Sequence, residues 1–237
     1  MTVQHWLGGT LLGFDTETTG VDTSTDRIVT AALVLRTPQE TLVRTWLINP
    51  GVPIPVEASD IHGVTTEHAV QFGDAPEKAL DEIATEIAQH LALNHPVVAF
   101  NASFDISILK AELERHGLPT LEERLGKEVS PVIDPLVLDR ALERYRKGPR
   151  KLVDLCKVYG VVDTGILHTA DADVVATLDV LAAMMDRYPD TASMGLEQLH
   201  LYQEGAHSRW AKSFNSYLQS QGKQGDVPTQ WLVRPQV

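Results

Sequence analysis

Cysteine is nearly absent: Cys156 is the single one in 237 residues. That excludes an internal disulfide and any zinc site built on cysteines. Leu152, Leu155 and Val158 surround it at helical spacing, so it reads as a small buried core residue. Long apolar runs are missing too. No stretch approaches the roughly 18 uninterrupted apolar residues of a membrane span. No basic segment followed by an apolar run opens the chain, so no signal peptide is expected. The expectation is a cytoplasmic protein with no membrane contact. Positive charge is in deficit, with 20 Lys and Arg against 32 Asp and Glu and a formal net charge of -12. Nucleic-acid footprints are usually basic, so total charge does not suggest such a partner. A local basic patch can still act against that balance. Internal repeats and low-complexity segments are also lacking. What the chain does hold is apolar material, 43% of its residues, ample for a core. Its length suits one large domain, or one domain with an extension.

Three strand patterns come first: Leu11–Phe14, Arg27–Leu35 and Thr41–Ile48. The connection at Pro38-Gln39-Glu40 is of hairpin length, so an antiparallel meander is expected. Prolines 50, 53 and 55 make the next stretch a loop, leading to Ile61-His62-Gly63-Val64-Thr65. From Ala75 to Leu91 the apolar residues Leu80, Ile83, Ile87 and Leu91 recur at helical steps. Pro96–Phe100 is a short strand, and Asn101-Ala102-Ser103 opens a helix that Gly117 and Pro119 stop. Pro131–Ile133 is another brief strand. Helices are expected over Asp134–Arg146, Lys151–Val158 and Ala172–Met185, the last packed on more than one side. Strands first, then helices alternating with short strands, indicate an α/β domain with a mixed sheet. After Tyr188-Pro189-Asp190 the composition turns richer in Gln and Ser. We therefore divide the chain into a body, 1–189, and a helical extension packed on it, 190–237, with a late apolar anchor at Trp231.

The chemistry centres on Phe14-Asp15-Thr16-Glu17-Thr18-Thr19-Gly20. Asp15 and Glu17 sit two apart, so on an extended chain both carboxylates leave the same face. Side by side they repel and raise each other's pKa. A hard divalent cation gives a reason for the pair, because such ions take oxygen ligands. Taken alone, the pair is more simply one carboxylate in solvent and one capping a turn. Asp105 stands in the first turn of the helix after Pro96–Phe100, where the helix dipole already favours an acid. His168-Thr169-Ala170-Asp171-Ala172-Asp173 precedes another helix. Asp171 is the plainer helix cap, which leaves Asp173 without an evident structural job.

Together, Asp15-Thr16-Glu17-Thr18-Thr19-Gly20, Asn101-x-x-x-Asp105 and His168-x-x-x-x-Asp173 resemble the DEDDh class of 3′→5′ exonucleases. That class includes the proofreading epsilon subunit of bacterial DNA polymerase III, RNase T and the TREX enzymes. Supporting matches are Ile61–Thr65, Asp134-Pro135-Leu136 and Lys151–Val161. The resemblance runs from about Leu11 to about Tyr188. It implies a ribonuclease-H-like mixed sheet flanked by helices. It also implies hydrolysis from the 3′ end of nucleic acid to nucleoside 5′-monophosphates. By the same resemblance, Asp15, Glu17, Asp105 and Asp173 are ligands of two divalent cations, Mg²⁺ or Mn²⁺, and His168 is the general base. Thr16, Thr18, Thr19, His62 and Asn101 lie by the terminal nucleotide. The implied partners are single-stranded or 3′-ended nucleic acid, DNA ahead of RNA, and a DNA polymerase subunit.

From Arg140 to Lys151 six basic residues face one acid, Glu143. A solvated helix end accounts for Arg144 and Arg146. The Gly148-Pro149 loop makes Arg146, Lys147, Arg150 and Lys151 candidate phosphate contacts. A haloacid-dehalogenase-like phosphatase is disfavoured, since its second aspartate would fall at Glu17 and the His168 element would have no role. A non-catalytic binding module leaves the five chemical residues unexplained together. An RNA-trimming enzyme of RNase T or oligoribonuclease type remains open, because sequence does not show contacts to a 2′-hydroxyl.

Overall fold

The computed structural model describes residues 6–162 and 169–232. Strands β1 (Leu11–Thr18), β2 (Ile28–Arg36) and β3 (Thr41–Leu47) form the expected antiparallel meander. β1 continues through the acidic motif to Thr18, and its register on β2 shifts between Glu17 and Thr18. Three helices follow: α1 (Val56–His62), α2 (Thr66–Phe72) and α3 (Pro76–Ala92). The first two follow the expected proline-rich loop, over residues to which the sequence pattern assigns no element. Each is seven residues, too short to display a helical period. They are set by local stops: Gly63 ends α1 at φ 77°, and the Thr65 hydroxyl accepts from the His68 N–H at the start of α2.

The short strands β4 (Val97–Val98) and β5 (Val132–Ile133) add in parallel, giving the sheet order β3-β2-β1-β4-β5. Between them run α4 (Ala102–Arg115) and α5 (Leu121–Leu125). After β5 come α6 (Pro135–Leu142), α7 (Leu152–Tyr159), α8 (Ala170–Arg187), α9 (Pro189–Ala192) and α10 (Leu196–Ser220). Helices cover both faces of this mixed sheet. The alternation of β1 sorts them. Leu12 and Phe14 pack with Leu80, Ile83 and Ile87 of α3 and Ile108 and Leu109 of α4. Leu11 packs on the opposite face with Leu155 and Cys156 of α7 and Val174, Leu178 and Leu181 of α8. Cys156 is buried there, as expected. Gly13 faces α8 so closely that a Cβ would lie 2.2 Å from Val174 Cγ1. Its missing side chain lets α8 lie directly on β1.

Two helix bounds need correction. The helix expected over Asp134–Arg146 stops at Leu142, with Asp134 as its cap and Pro135 in its first turn. Beyond it the chain folds back over Asp139, which is fully buried. Asp139 accepts from Arg146 (2.7 Å), from Arg150 and from the Tyr159 hydroxyl (2.8 Å). Two cations and a phenol on one buried carboxylate hold the chain off the helical path. At α8 the cap position is Thr169, and Asp171 stands in the first turn instead.

The extension closes an exposed flank. β5 pairs only with β4, and α10 meets its other edge. Gln203 of α10 donates to Val132 O (3.0 Å) and accepts from the Asp134 N–H (2.7 Å). His200 Nδ1 accepts from the Val132 N–H (3.1 Å). Side chains of a helix thus satisfy backbone groups that a further strand would have taken. Leu199 joins the α8-side core, while Ala206 and the anchor Trp231 join the α3-side core. Among the described residues no helix is long and apolar enough to cross a membrane.

Candidate active site

Asp15 and Glu17 leave β1 on the side of Gly13, toward α8. Asp173 stands in the first turn of α8, next to Val174. One carboxylate oxygen from each of Asp15, Glu17 and Asp173 can be chosen so that all lie within 4.8 Å of one another. All three are partly buried. Burial pushes the Asp15 carboxyl well above the usual range, and Asp105, Asp173 and Glu17 push it further. Glu17 is raised from 4.5 to about 7, by burial first and then by Asp173. Acids so placed hold protons that a cation would displace. These three carboxylates could hold a metal ion: hard oxygen donors converge, and their mutual repulsion is what a cation relieves.

Asp105 comes from the opposite face of β1. Thr16 points that way, and Asp105 Oδ1 accepts from its N–H (3.1 Å) and its hydroxyl (2.8 Å). Burial raises Asp105 from 3.8 to about 7, and the two Thr16 bonds pull it back in part. Asp105 therefore flanks the three-carboxylate group and acts electrostatically on Asp15. Thr16 fixes the carboxylate of its neighbouring helix.

The remaining expected residues divide. The Thr18 hydroxyl donates to Gly20 O (2.6 Å), and the Thr19 hydroxyl donates to Asp26 and accepts from the Arg27 N–H. Both hydroxyls shape the turn after β1. His62 is buried at the end of α1, where Nδ1 accepts from the Val64 N–H (3.2 Å). Burial lowers its pKa, and an interaction with the Thr18 backbone at the end of β1 opposes the shift. Asn101 caps α4 in the left-handed region, φ 62°. Arg146 and Arg150 are committed to Asp139, whereas Lys147 and Lys151 are exposed. His168 lies outside the described residues.

In the sequence Asp134 is a helix start and part of a supporting family match, with no role assigned to its carboxylate. Its carboxylate accepts from the N–H groups of Asn101 and Ala102, both at 3.0 Å, as well as from Leu136. One buried acid thus fastens the N-terminus of α4, and with it Asp105. Burial raises Asp134 to about 6, and these N–H bonds oppose the shift. Gln203 holds the Asp134 backbone, so α10 supports the same corner. Asp-Pro at a helix start was the available signal, but it does not reveal the partner helix.

Three comparisons bear on this arrangement. The family model described as RNase_T, exonuclease, matches residues 12–181. Relatives include the PolC-type DNA polymerase III of Streptococcus pneumoniae strain D39, 31% identical over 173 residues, 71% of this chain. The Bacillus cereus PolC-type enzyme is 30% identical over 207 residues, 84% of this chain. The chain spans only 10% and 13% of those two relatives. Among solved structures, Escherichia coli Exonuclease I in complex with a dA16 oligonucleotide matches with a TM-score of 0.67 and 20% identity. That match covers 84% of this chain and 44% of the other. At that identity it speaks to the fold alone.

Proposed function

The chain belongs to the RNase_T exonuclease family, and from that premise we propose a metal-dependent 3′→5′ exonuclease acting on single-stranded DNA. The observation that carries the reading is the convergence of Asp15, Glu17 and Asp173 from two elements within 4.8 Å. Such a cluster is unfavourable for folding and suited to a phosphoryl-transfer centre. Asp15, Glu17, Asp105 and Asp173 would hold two divalent cations, Mg²⁺ or Mn²⁺. When bound, these neutralise phosphate charge and lower the pKa of a water.

The chain's own residues supply the rest. His168 accepts the proton of the attacking water, a task suited to an imidazole near neutral pH. The water oxygen bonds to phosphorus and the P–O3′ bond breaks. The 3′ oxygen of the preceding nucleotide leaves and takes up a proton. The product is a nucleoside 5′-monophosphate. Thr16 keeps Asp105 oriented, and Asp134 keeps α4 in place. DNA as substrate is supported by the PolC-type relatives, which are DNA polymerases by name. The same similarity supports a DNA polymerase subunit as partner.

The test is a time course on 5′-labelled single-stranded DNA and RNA of matched sequence, with Mg²⁺, Mn²⁺ or EDTA. We expect a ladder shortening from the 3′ end, faster on DNA. It should disappear with EDTA, with Asp15→Ala and with His168→Ala. A faster RNA ladder would move the protein to RNA trimming. No degradation of either polymer would overturn the nuclease reading.

A further inference from the structure

α10 carries more than its contacts to β5. A groove of about 650 Å³ runs between it and the end of α6, lined by Arg140, Arg144, Arg150, Arg209 and Lys212 beside Trp210. No carboxylate lines it. Arg150 is spent on Asp139. Among the described residues, Arg144, Arg209 and Lys212 have no carboxylate partner, whereas Arg140 interacts electrostatically with Asp134 and Asp139. In a chain with 32 acids and 20 bases, three unpaired cations in one groove are against expectation. Arg140 is partly buried and lies 3.8 Å over the Trp210 ring, with Asp134 and Asp139 acting on it electrostatically. Stacking fixes this guanidinium at the inner end of the groove, and the exposed Arg144, Arg209 and Lys212 are the cations left for an anion.

Aromatic rings accompany the charges. Trp210, Phe214 and Tyr217 recur along one side of α10, with centroids 5.5 and 6.3 Å apart. Phe214 is 36% exposed and Tyr217 57%. A second groove of about 550 Å³ shares Arg140 and Trp210 and reaches Asn101 and Ser103. Those residues start α4, whose first turn carries Asp105. Asp22, Asp134 and Asp226 line this inner groove, so unopposed positive charge is confined to the outer one.

We propose that the outer groove binds the phosphates of single-stranded nucleic acid upstream of the 3′ end, with the aromatic side of α10 as base-contacting surface. Interleaved cations and rings are what a sequence-tolerant single-strand site requires. The continuity of the two grooves gives the strand a route from α10 to the start of α4, whose first turn carries Asp105. The inference rests on the exonuclease reading for its direction. α10 lies beyond residue 181, where the family match ends. Arg140, Arg144 and Arg150 lie within that match, so the groove is completed by α10 on one side and by the family's own α6 end on the other.

The test compares two substrates for the full chain and the Arg209→Glu/Lys212→Glu variant. One is a labelled single-stranded dodecamer. The other is the p-nitrophenyl ester of thymidine 5′-monophosphate, which has a phosphodiester but no upstream strand. Each single-strand phosphate contact contributes about 0.7 to the log–log salt slope, so losing two should flatten it by about 1.4. Referred to 1 M salt, that is about a 25-fold higher KM for the dodecamer near 0.1 M. Turnover of the ester should stay within about twofold of the parent, by the same reasoning that no contact to it is lost. Both side chains are exposed, so the fold should persist, and Arg209→Lys should retain parental behaviour. An unchanged dodecamer KM and salt slope would overturn the inference and leave the groove to another occupant, such as an acidic protein segment. Failure of the parent to cleave either substrate would instead sink the exonuclease reading.

Discussion

Raising the pH of the metal-free protein should destabilise it, and Glu17 sets the window. Its ordinary value is 4.5 and its folded value about 7. The folded state therefore holds this proton more tightly than the unfolded chain. The stabilisation is fully present below pH 4.5 and is lost as pH rises through about 7. The span is worth at most ~3 kcal/mol at about 1.36 kcal/mol per pH unit. Glu17 is partly exposed, and solvent screening reduces this to about 1–2 kcal/mol. For a chain of this size that is a fall of roughly 2–8 °C in Tm. Calorimetry in EDTA on wild type and Glu17→Gln isolates the effect. The two should melt together near pH 4.5, and the variant should melt higher at about pH 8, once repulsion with Asp173 is gone. Mn²⁺ in 100-fold excess over its Kd should add about 2.7 kcal/mol to the wild type at the higher pH. It should add little at the lower pH, where protons occupy the ligands. A variant no more stable than wild type at about pH 8 would refute the argument.

Other perturbations reach the site through its supports. Thr16→Val removes one bond to Asp105, so that carboxyl should titrate higher still and activity should fall about 10-fold or more, read from the pH profile of the exonuclease rate. Gly13→Ala places a methyl 2.2 Å from Val174. It should cost about 1–3 kcal/mol in denaturant unfolding and shift Asp173, lowering metal affinity as well. Asp139→Ala strands Arg146 and Arg150 and should cost about 3–5 kcal/mol by the same unfolding assay. Gln203→Leu leaves the Asp134 N–H unpaired and removes the amide bond to the Val132 carbonyl at the β5 edge, and should cost about 1–3 kcal/mol by the same unfolding assay.

The supports form one chain of contacts. Gln203 holds Asp134, Asp134 holds the start of α4, α4 carries Asp105, and Asp105 is clasped by Thr16 of β1. The extension thus belongs to the frame of the site, although the family match stops before it. Net acidity is no obstacle to a nucleic-acid substrate in this arrangement. The acids concentrate where cations would sit, and the unpaired bases concentrate along α10.

The sequence by itself determined the local terms. The period of a strand put Asp15 and Glu17 on one face, and helical spacing marked α3 and buried Cys156. These follow from neighbours along the chain, whose steric and periodic preferences act within a few residues. Helices as short as α1 and α2 escaped because seven residues carry too little periodicity. Only the tertiary structure decided the rest. It set Asp173 beside Asp15 through the close approach of α8 to Gly13. It turned Arg146 and Arg150 inward to Asp139, stacked Arg140 on Trp210, and left Arg144, Arg209 and Lys212 without a carboxylate among the described residues. Whether a cation is spent on a buried acid or left for a ligand depends on which distant segment packs against it. Residue spacing does not contain that information.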